Sequence, residues 1–183
     1  MTMEMMLSAD LKKKITHSNV PLVVIHMTRP RWVRSTFFNL SRGNWLTGCP
    51  EHWAAHNNSC YYMTGGRSSR FDQAQKKCNQ LSAKLPIIKS ESENCFILGL
   101  MSKTKQWVWL GMKRKQDKMV WCDDTPAEPS NGASYNAWNK NEPSHNENEN
   151  CAYLDFYARA WHDEKCDFHP GLGPYVLCQR ALV

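Results

Sequence analysis

Two segments of the chain place apolar residues at the spacing of an α-helix. The apolar positions are Phe71, Ala74, Cys78 and Leu81 in the first segment, and Phe96, Ile97, Leu100 and Met101 in the second. Intervals of three and four residues align such side chains on one helix face. An acid follows a serine by three positions at each start, Ser69 with Asp72 and Ser90 with Glu93, which is the pattern of a capped helix. We therefore predict two amphipathic helices, beginning after Ser69 and after Ser90.

Shorter apolar stretches elsewhere are typical of β-strands. A hairpin is predicted over residues 53–62, with Asn57-Asn58 at its turn. Further strands are predicted at 107–112, 119–121, 152–156, 160–163 and 175–179. Residues 123–150, by contrast, are rich in Asn, Pro, Ser, Gly and Glu and show no period. A loop of that length in a compact domain is usually functional, so we expect the binding chemistry there.

The cysteine content points to disulfides. The chain of 183 residues has eight cysteines and no C-x-x-C pair. Zinc ribbons and thioredoxin-like redox sites usually contain such pairs, whereas disulfide frameworks do not need them. Because disulfides persist in oxidising compartments, we expect a secreted or extracellular protein.

Residues 1–48 are basic and show no sustained helical or strand period. They hold seven of the 23 Lys and Arg residues and two of the 17 acids, which leaves 16 basic and 15 acidic residues in 49–183. The second part is thus nearly neutral, and a nucleic-acid-binding surface is not expected. The apolar run at 20–27 is shorter than the roughly 20 residues that span a bilayer, and it makes no convincing signal peptide. We predict a flexible extension, 1–48, followed by one domain, 49–183, without a membrane span.

A series of landmark residues runs in a fixed order from Cys49 to Arg180. The landmarks are Cys49-Pro50, Trp53, Cys60-Tyr61, Ala74, Cys78, Ala83, Leu85, Ile88, Glu91, Phe96, Trp109-Leu110-Gly111-Met112, Trp121-Cys122-Asp123, Trp138, Glu142-Pro143-Ser144, Cys151, Trp161-His162-Asp163, Cys166 and Cys178. Each is weak alone, but the ordered set is specific. It resembles the C-type lectin-like domain family over about 130 residues.

The resemblance implies an α+β fold with two helices, two small antiparallel sheets and a long loop region that carries the binding site. It assigns core positions to Trp109, Trp121 and Trp138. It also implies the disulfides Cys78–Cys178 and Cys151–Cys166, with Cys49–Cys60 in the long form of the domain. Cys95 and Cys122 are left over. They form a fourth bridge, pair with another chain or stay free, and we favour the mutual bridge.

The resemblance also implies a calcium site. In the family, calcium is held by the Glu and Asn of Glu-Pro-Asn, a downstream Glu, and the Asn and Asp of Trp-Asn-Asp. The matching residues here are Glu142, Ser144, Glu149, His162 and Asp163, with Glu147 competing for the third position. Calcium takes six to eight oxygens, so a hydroxyl at 144 is a weaker ligand than an amide, and an imidazole at 162 suits a hard cation poorly. We expect one Ca2+, bound more weakly than by the standard motif, and a cis peptide before Pro143.

A glycan or glycoprotein is the partner that the resemblance implies. A sugar diol can complete the calcium shell, which assigns carbohydrate contacts to Glu142, Ser144, Glu149 and His162. The Glu-first order of the tripeptide at 142–144 is that of mannose-type members. Ser144 both donates and accepts hydrogen bonds, so we expect a relaxed mannose preference. Further contacts beside the site are expected from His145, Tyr153 and Tyr157.

The sequence also bears on three other interpretations. A domain of this family can bind proteins without calcium, with its loop keeping a relic of the motif. His162, Cys166 and His169 have the spacing of half a zinc site, but the resemblance assigns Cys166 to a disulfide, which leaves it unable to bind zinc. An enzyme is not expected, because the sequence supplies neither an oxyanion site nor a nucleophile elbow.

Overall fold

The computed structural model describes residues 48–182. The predicted extension therefore lies almost wholly outside the described residues. The helices and strands are β1 (Ala54–His56), β2 (Ser59–Arg67), α1 (Phe71–Gln80), α2 (Glu91–Met101), β3 (Val108–Lys115), β4 (Lys118–Trp121), a 3-10 turn (Pro129–Asn131), β5 (Cys151–Asp155), β6 (Ala160–Glu164) and β7 (Tyr175–Ala181). Neither helix in this part of the chain is long and apolar enough to cross a bilayer.

Both predicted helices form, but only one begins as predicted. At α2 the Ser90 hydroxyl accepts a hydrogen bond from the Glu93 amide at 3.2 Å, and the Glu93 carboxylate accepts from the Lys89 amide at 2.9 Å. The prediction that Ser69 caps α1 was wrong, because the helix starts after Arg70 without a side-chain cap. The amide of Phe71 instead donates to the Cys166 carbonyl at 2.8 Å. A backbone hydrogen bond to a distant segment thus takes the place of the side-chain cap.

The strands confirm the α+β fold, but they form one sheet where the resemblance implied two. Strand order is β1-β2-β7-β3-β5-β6, and β4 pairs with the end of β3, from Met112 to Lys115. The neighbours are antiparallel except β3 and β7, which meet in parallel through Val108 and Tyr175. The Tyr175 amide donates to the Trp107 carbonyl at 2.7 Å. This short junction makes one mixed sheet from the two antiparallel groups.

The core fixes the strand that leads into the predicted site. Trp109 and Trp121 are buried as predicted, whereas Trp138 is half-buried and packs against the core. Trp161 of β6 is fully buried, and its ring meets that of Trp121 edge-on at 5.3 Å between centroids. Its indole N–H donates to the Asn94 side-chain oxygen of α2 at 3.1 Å. The position of β6 therefore depends on the centre of the core.

The three disulfides implied by the resemblance are confirmed: Cys49–Cys60, Cys78–Cys178 and Cys151–Cys166. The predicted bridge between Cys95 and Cys122 is wrong, because both thiols are free and exposed. The Cys95 thiol lies on the solvent side of α2 and donates to the Glu91 carboxylate at 3.2 Å, one helical turn away. Cys122 lies after β4 and faces Gly111. The two thiols belong to different local environments.

Removal of Cys78–Cys178 should destabilise the domain more than removal of Cys49–Cys60. The first bridge joins residues 100 positions apart and the second joins residues 11 apart. Chain entropy then predicts losses of about 4 to 5 and about 3 kcal/mol, respectively. Urea unfolding of the two double Cys→Ser variants measures both losses. Equal losses would contradict the loop-length argument.

Gly111→Ala should also destabilise the domain. A Cβ at position 111 would lie 2.9 Å from the Leu85 carbonyl oxygen and 3.1 Å from the Cys122 sulfur. Crowding of this kind costs about 1 to 3 kcal/mol. The control is Gly99→Ala in α2, where the added methyl meets open space and helix propensity favours Ala by about 1 kcal/mol. Thermal unfolding should separate the two variants in opposite directions, and a Gly111→Ala variant as stable as the wild type would refute the prediction.

Candidate functional site

The structure brings the five predicted ligand residues together at one end of the β5–β6 hairpin. Glu142, Ser144 and Glu149 lie in the loop before β5, and His162 and Asp163 lie on β6. The peptide between Glu142 and Pro143 is cis, as the resemblance implied. The loop ends at Cys151, whose disulfide with Cys166 lies at the start of β5. The site is thus built from one loop and one strand.

Asp163 is the buried centre of the site. Its side chain is 0% exposed. One carboxylate oxygen accepts a hydrogen bond from the Ser144 amide at 2.8 Å, and the other accepts from Arg114 at 2.8 Å and from the Ser144 hydroxyl at 3.3 Å. The Ser144 hydroxyl also contacts the Glu149 carboxylate. Ser144 therefore links the two acids through its backbone and its side chain.

Glu142 carries a carboxylate oxygen without a partner. Its Oε1 lies 3.5 Å from Nδ1 of His162, while its Oε2 is buried and finds no hydrogen-bond partner among the described residues. Burial, together with the neighbouring carboxylates of Asp163 and Glu149, raises the pKa of Glu142 well above its usual range. Such crowding disfavours the charged form, and a cation relieves it.

His162 is held on two sides. Its Nε2 lies 3.2 Å from the side-chain nitrogen of Asn139, and its ring stacks on Tyr153 with centroids 5.3 Å apart. The other ring nitrogen, Nδ1, faces the Glu142 carboxylate. Of the other predicted contacts, Tyr153 is buried, whereas His145 and Tyr157 are exposed. Asn139 is a member of the site that the sequence did not indicate.

Arg114 is the second residue that sequence reasoning missed. It lies on β3, and its side chain is 6% exposed. Nε and Nη2 donate to the Glu149 carbonyl at 3.2 and 3.0 Å, and Nη2 also donates to Asp163. The strands predicted at 107–112 and 119–121 leave residues 113–118 between them as a turn, but β3 continues to Lys115, and the turn is only Gln116 and Asp117. Extending the two-residue alternation from buried Met112 would have placed Arg114 on the inner side.

The oxygen atoms of the site fit one calcium ion in part. Between residues 48 and 182, no three His, Cys, Asp or Glu side chains form a metal-binding group by themselves, so a shell also needs the Ser144 hydroxyl and oxygens from a ligand or solvent. Of the three carboxylates of the site, that of Asp163 is paired with the Arg114 guanidinium, and Glu142 Oε2 is unpartnered. This excess of negative oxygen fits one hard divalent cation. The zinc alternative fails, because Cys166 is in a disulfide.

Comparison with known proteins identifies the class of the domain. The profile of the Lectin C-type domain family matches residues 67–179. C-type lectin domain family 4 member M of Pan troglodytes is 28% identical over 137 residues, which make up 74% of this chain and 28% of that protein. The chain therefore spans less than a third of the length of this curated relative. The chain belongs to the Lectin C-type domain family.

Solved structures agree with this assignment. The mouse scavenger receptor C-type lectin carbohydrate-recognition domain aligns with a TM-score of 0.61 and 25% identity, over 74% of this chain and 99% of that one. A calcium-independent type II antifreeze protein aligns with a TM-score of 0.61 and 22% identity, over 74% and 95% of the two chains. The second likeness concerns the fold alone.

Proposed function

We propose that the domain binds glycans through one calcium ion held by Glu142, Ser144, Glu149 and Asp163, with His162 as a marginal fifth ligand. The observation that carries the proposal is the buried, unpartnered Oε2 of Glu142 beside two further carboxylates. Buried polar atoms are normally satisfied, and an orphaned acceptor in an acidic cluster is suited to a cation. The carbohydrate-recognition domain among the structural neighbours supports the same function.

The residues of the site would have distinct tasks toward a sugar. Calcium, when bound, supplies coordination positions for two vicinal hydroxyl groups. Glu142 and Glu149 can accept hydrogen bonds from those hydroxyls, while the Ser144 hydroxyl can donate or accept. The ring of His162 is fixed by Asn139 and Tyr153, so it can border the sugar without a loss of side-chain freedom.

The proposed setting is extracellular. Three disulfides are formed in the described part of the chain, and such bonds persist in oxidising compartments. The proposed partners are glycans and glycoproteins, met by a binding module rather than an enzyme. An extracellular setting would both preserve the disulfides and supply the calcium that the proposed site needs; extracellular domains bind calcium with dissociation constants of about 0.1 to 1 mM.

Calcium-independent protein binding is the second candidate, and one contact favours it. Arg114 already neutralises the Asp163 carboxylate inside the site, so that this acid needs no calcium ion to balance its charge. A domain with such a contact can keep its loop as a scaffold for a protein partner. Among the structural neighbours, the calcium-independent antifreeze protein has the same fold.

Glu142→Gln should weaken calcium binding, because it removes a charge and a ligand oxygen from the shell. We expect a loss of affinity of about tenfold or more, since calcium affinity follows ligand charge. The matched control is Glu147→Gln, an exposed acid of the same loop, which should change the affinity less than about twofold. Isothermal calorimetry on the full chain measures both. If the wild type takes up no calcium at millimolar concentration, the protein-binding function replaces the lectin function.

Sugar selectivity should favour mannose-type diols without excluding others. The Glu-first motif is mannose-like, and the hydroxyl of Ser144 lacks the fixed polarity of an amide. Elution of the chain from immobilised mannose by methyl mannoside and by methyl galactoside compares the two. Ser144→Asn should increase mannose affinity by about threefold or more, because an amide oxygen is a better calcium ligand. Strong galactose binding with no mannose or fucose signal would refute the preference.

A further inference from the structure

We propose that Arg114 is a built-in cation that keeps the site loop folded without calcium. In this arrangement, calcium is needed to bind the sugar, whereas the loop itself is held by the guanidinium. Arg114 is therefore a positioning residue: it acts on the ligand residues Asp163 and Glu149, and it contacts neither ion nor sugar in the proposed function.

The contacts of Arg114 join three separate parts of the chain. Its side chain starts on β3, reaches the Glu149 carbonyl at the end of the loop through two N–H groups at 3.2 and 3.0 Å, and reaches Asp163 on β6 at 2.8 Å. Its own amide donates to the Asn150 carbonyl at 3.0 Å. A planar guanidinium can make such divergent bonds at once, which a point charge cannot do as well.

The same contacts reach the other end of the loop through Asp163. The guanidinium fixes one carboxylate oxygen of Asp163, and the other oxygen accepts from the Ser144 amide at 2.8 Å. Ser144 in turn accepts from the Asn146 amide at 3.1 Å through its hydroxyl. The loop is therefore tied at Ser144 and at Glu149 to one buried ion pair, whose side chains are 6% and 0% exposed.

The other basic side chains of the β3–β4 hairpin are engaged elsewhere. Lys113 lies over the ring of Phe71 at 4.8 Å, and Lys115 pairs with Asp124. Lys118 lies 3.8 Å from Glu128. The guanidinium of Arg114 is thus the positive group that this hairpin directs into the acidic cluster. An ion pair buried to this extent is costly to break from one side, since the remaining charge stays desolvated.

This inference concerns the site of the proposed function but needs no sugar. Its test is made on the full chain without glycan, by hydrogen exchange of the loop amides, above all that of Ser144. A domain that binds no glycan can pass this test, and a glycan-binding domain can fail it. The two proposals therefore fail separately.

The experiment compares the wild type, Arg114→Gln and Arg70→Gln, each in EDTA and in millimolar calcium. Arg70→Gln is the matched control, because Arg70 pairs with Asp72 through two bonds of 3.0 Å at the surface, where the side chains are 57% and 61% exposed. The wild type and Arg70→Gln should exchange at equal loop rates, within about threefold, in both conditions. Arg114→Gln should exchange about tenfold faster or more in EDTA, and calcium should restore its protection by supplying the missing charge.

Two results would overturn the proposal: loss of wild-type loop protection in EDTA, and wild-type protection in Arg114→Gln. Failure of calcium to restore that variant would instead contradict calcium binding in the proposed function. The amides of β2 and β7 report whether Arg114→Gln remains folded. If it unfolds, Arg114→Lys replaces it: this variant keeps the charge but loses the divergent bonds, so its loop should exchange about threefold faster or more in EDTA. Exchange equal to that of the wild type would then refute the role of Arg114.

Discussion

Trp161 connects the core to the site, and the arrangement of the loop follows from its burial. The ring is fully buried and meets Trp121, Tyr135 and Trp138 edge-on. Its backbone binds the loop as well: its amide donates to Ala137 at 2.7 Å, and its carbonyl accepts from Asn139 at 2.9 Å. Residues two apart on a strand point to the same side. Because Trp161 is buried, the Asp163 side chain also points inward. The side chain of His162, which lies between them on β6, points to the opposite side and stacks on the Tyr153 ring.

The charges of the site follow from that geometry. A carboxylate carried into the interior by its strand must be paired, and Arg114 supplies the partner from β3, on the far side of β5. The guanidinium balances one of three acids, so Glu142 and Glu149 remain in excess beside it. The domain thus combines an internal ion pair with two further acids beside it. In our proposals, the ion pair maintains the loop and the further acids hold a divalent cation.

Local sequence patterns predicted the helices and strands, and the family resemblance predicted the disulfides and which site residues come together. Helical spacing located α1 and α2, the ordered landmarks located the three disulfides, and the motif residues from Glu142 to Asp163 do converge. Ser69 did not cap α1, because a backbone contact with the segment at 166–168 took that role. The parallel junction of Val108 with Tyr175 likewise joins distant segments, and no local pattern indicated that Cys95 and Cys122 are both free. Strand alternation could have placed Arg114 on the inner side, but its partners, 35 and 49 positions away, follow from no local pattern.

A crystal structure of the full chain with calcium and a mannoside is the most direct test of this account. The account predicts one cation in contact with oxygens of Glu142, Glu149 and Asp163, with two sugar hydroxyls completing its shell. Arg114 should remain paired with Asp163 in the same crystal. An ordered sugar bound elsewhere, a site without a cation under these conditions, or a guanidinium displaced from Asp163 by the ion would contradict the account.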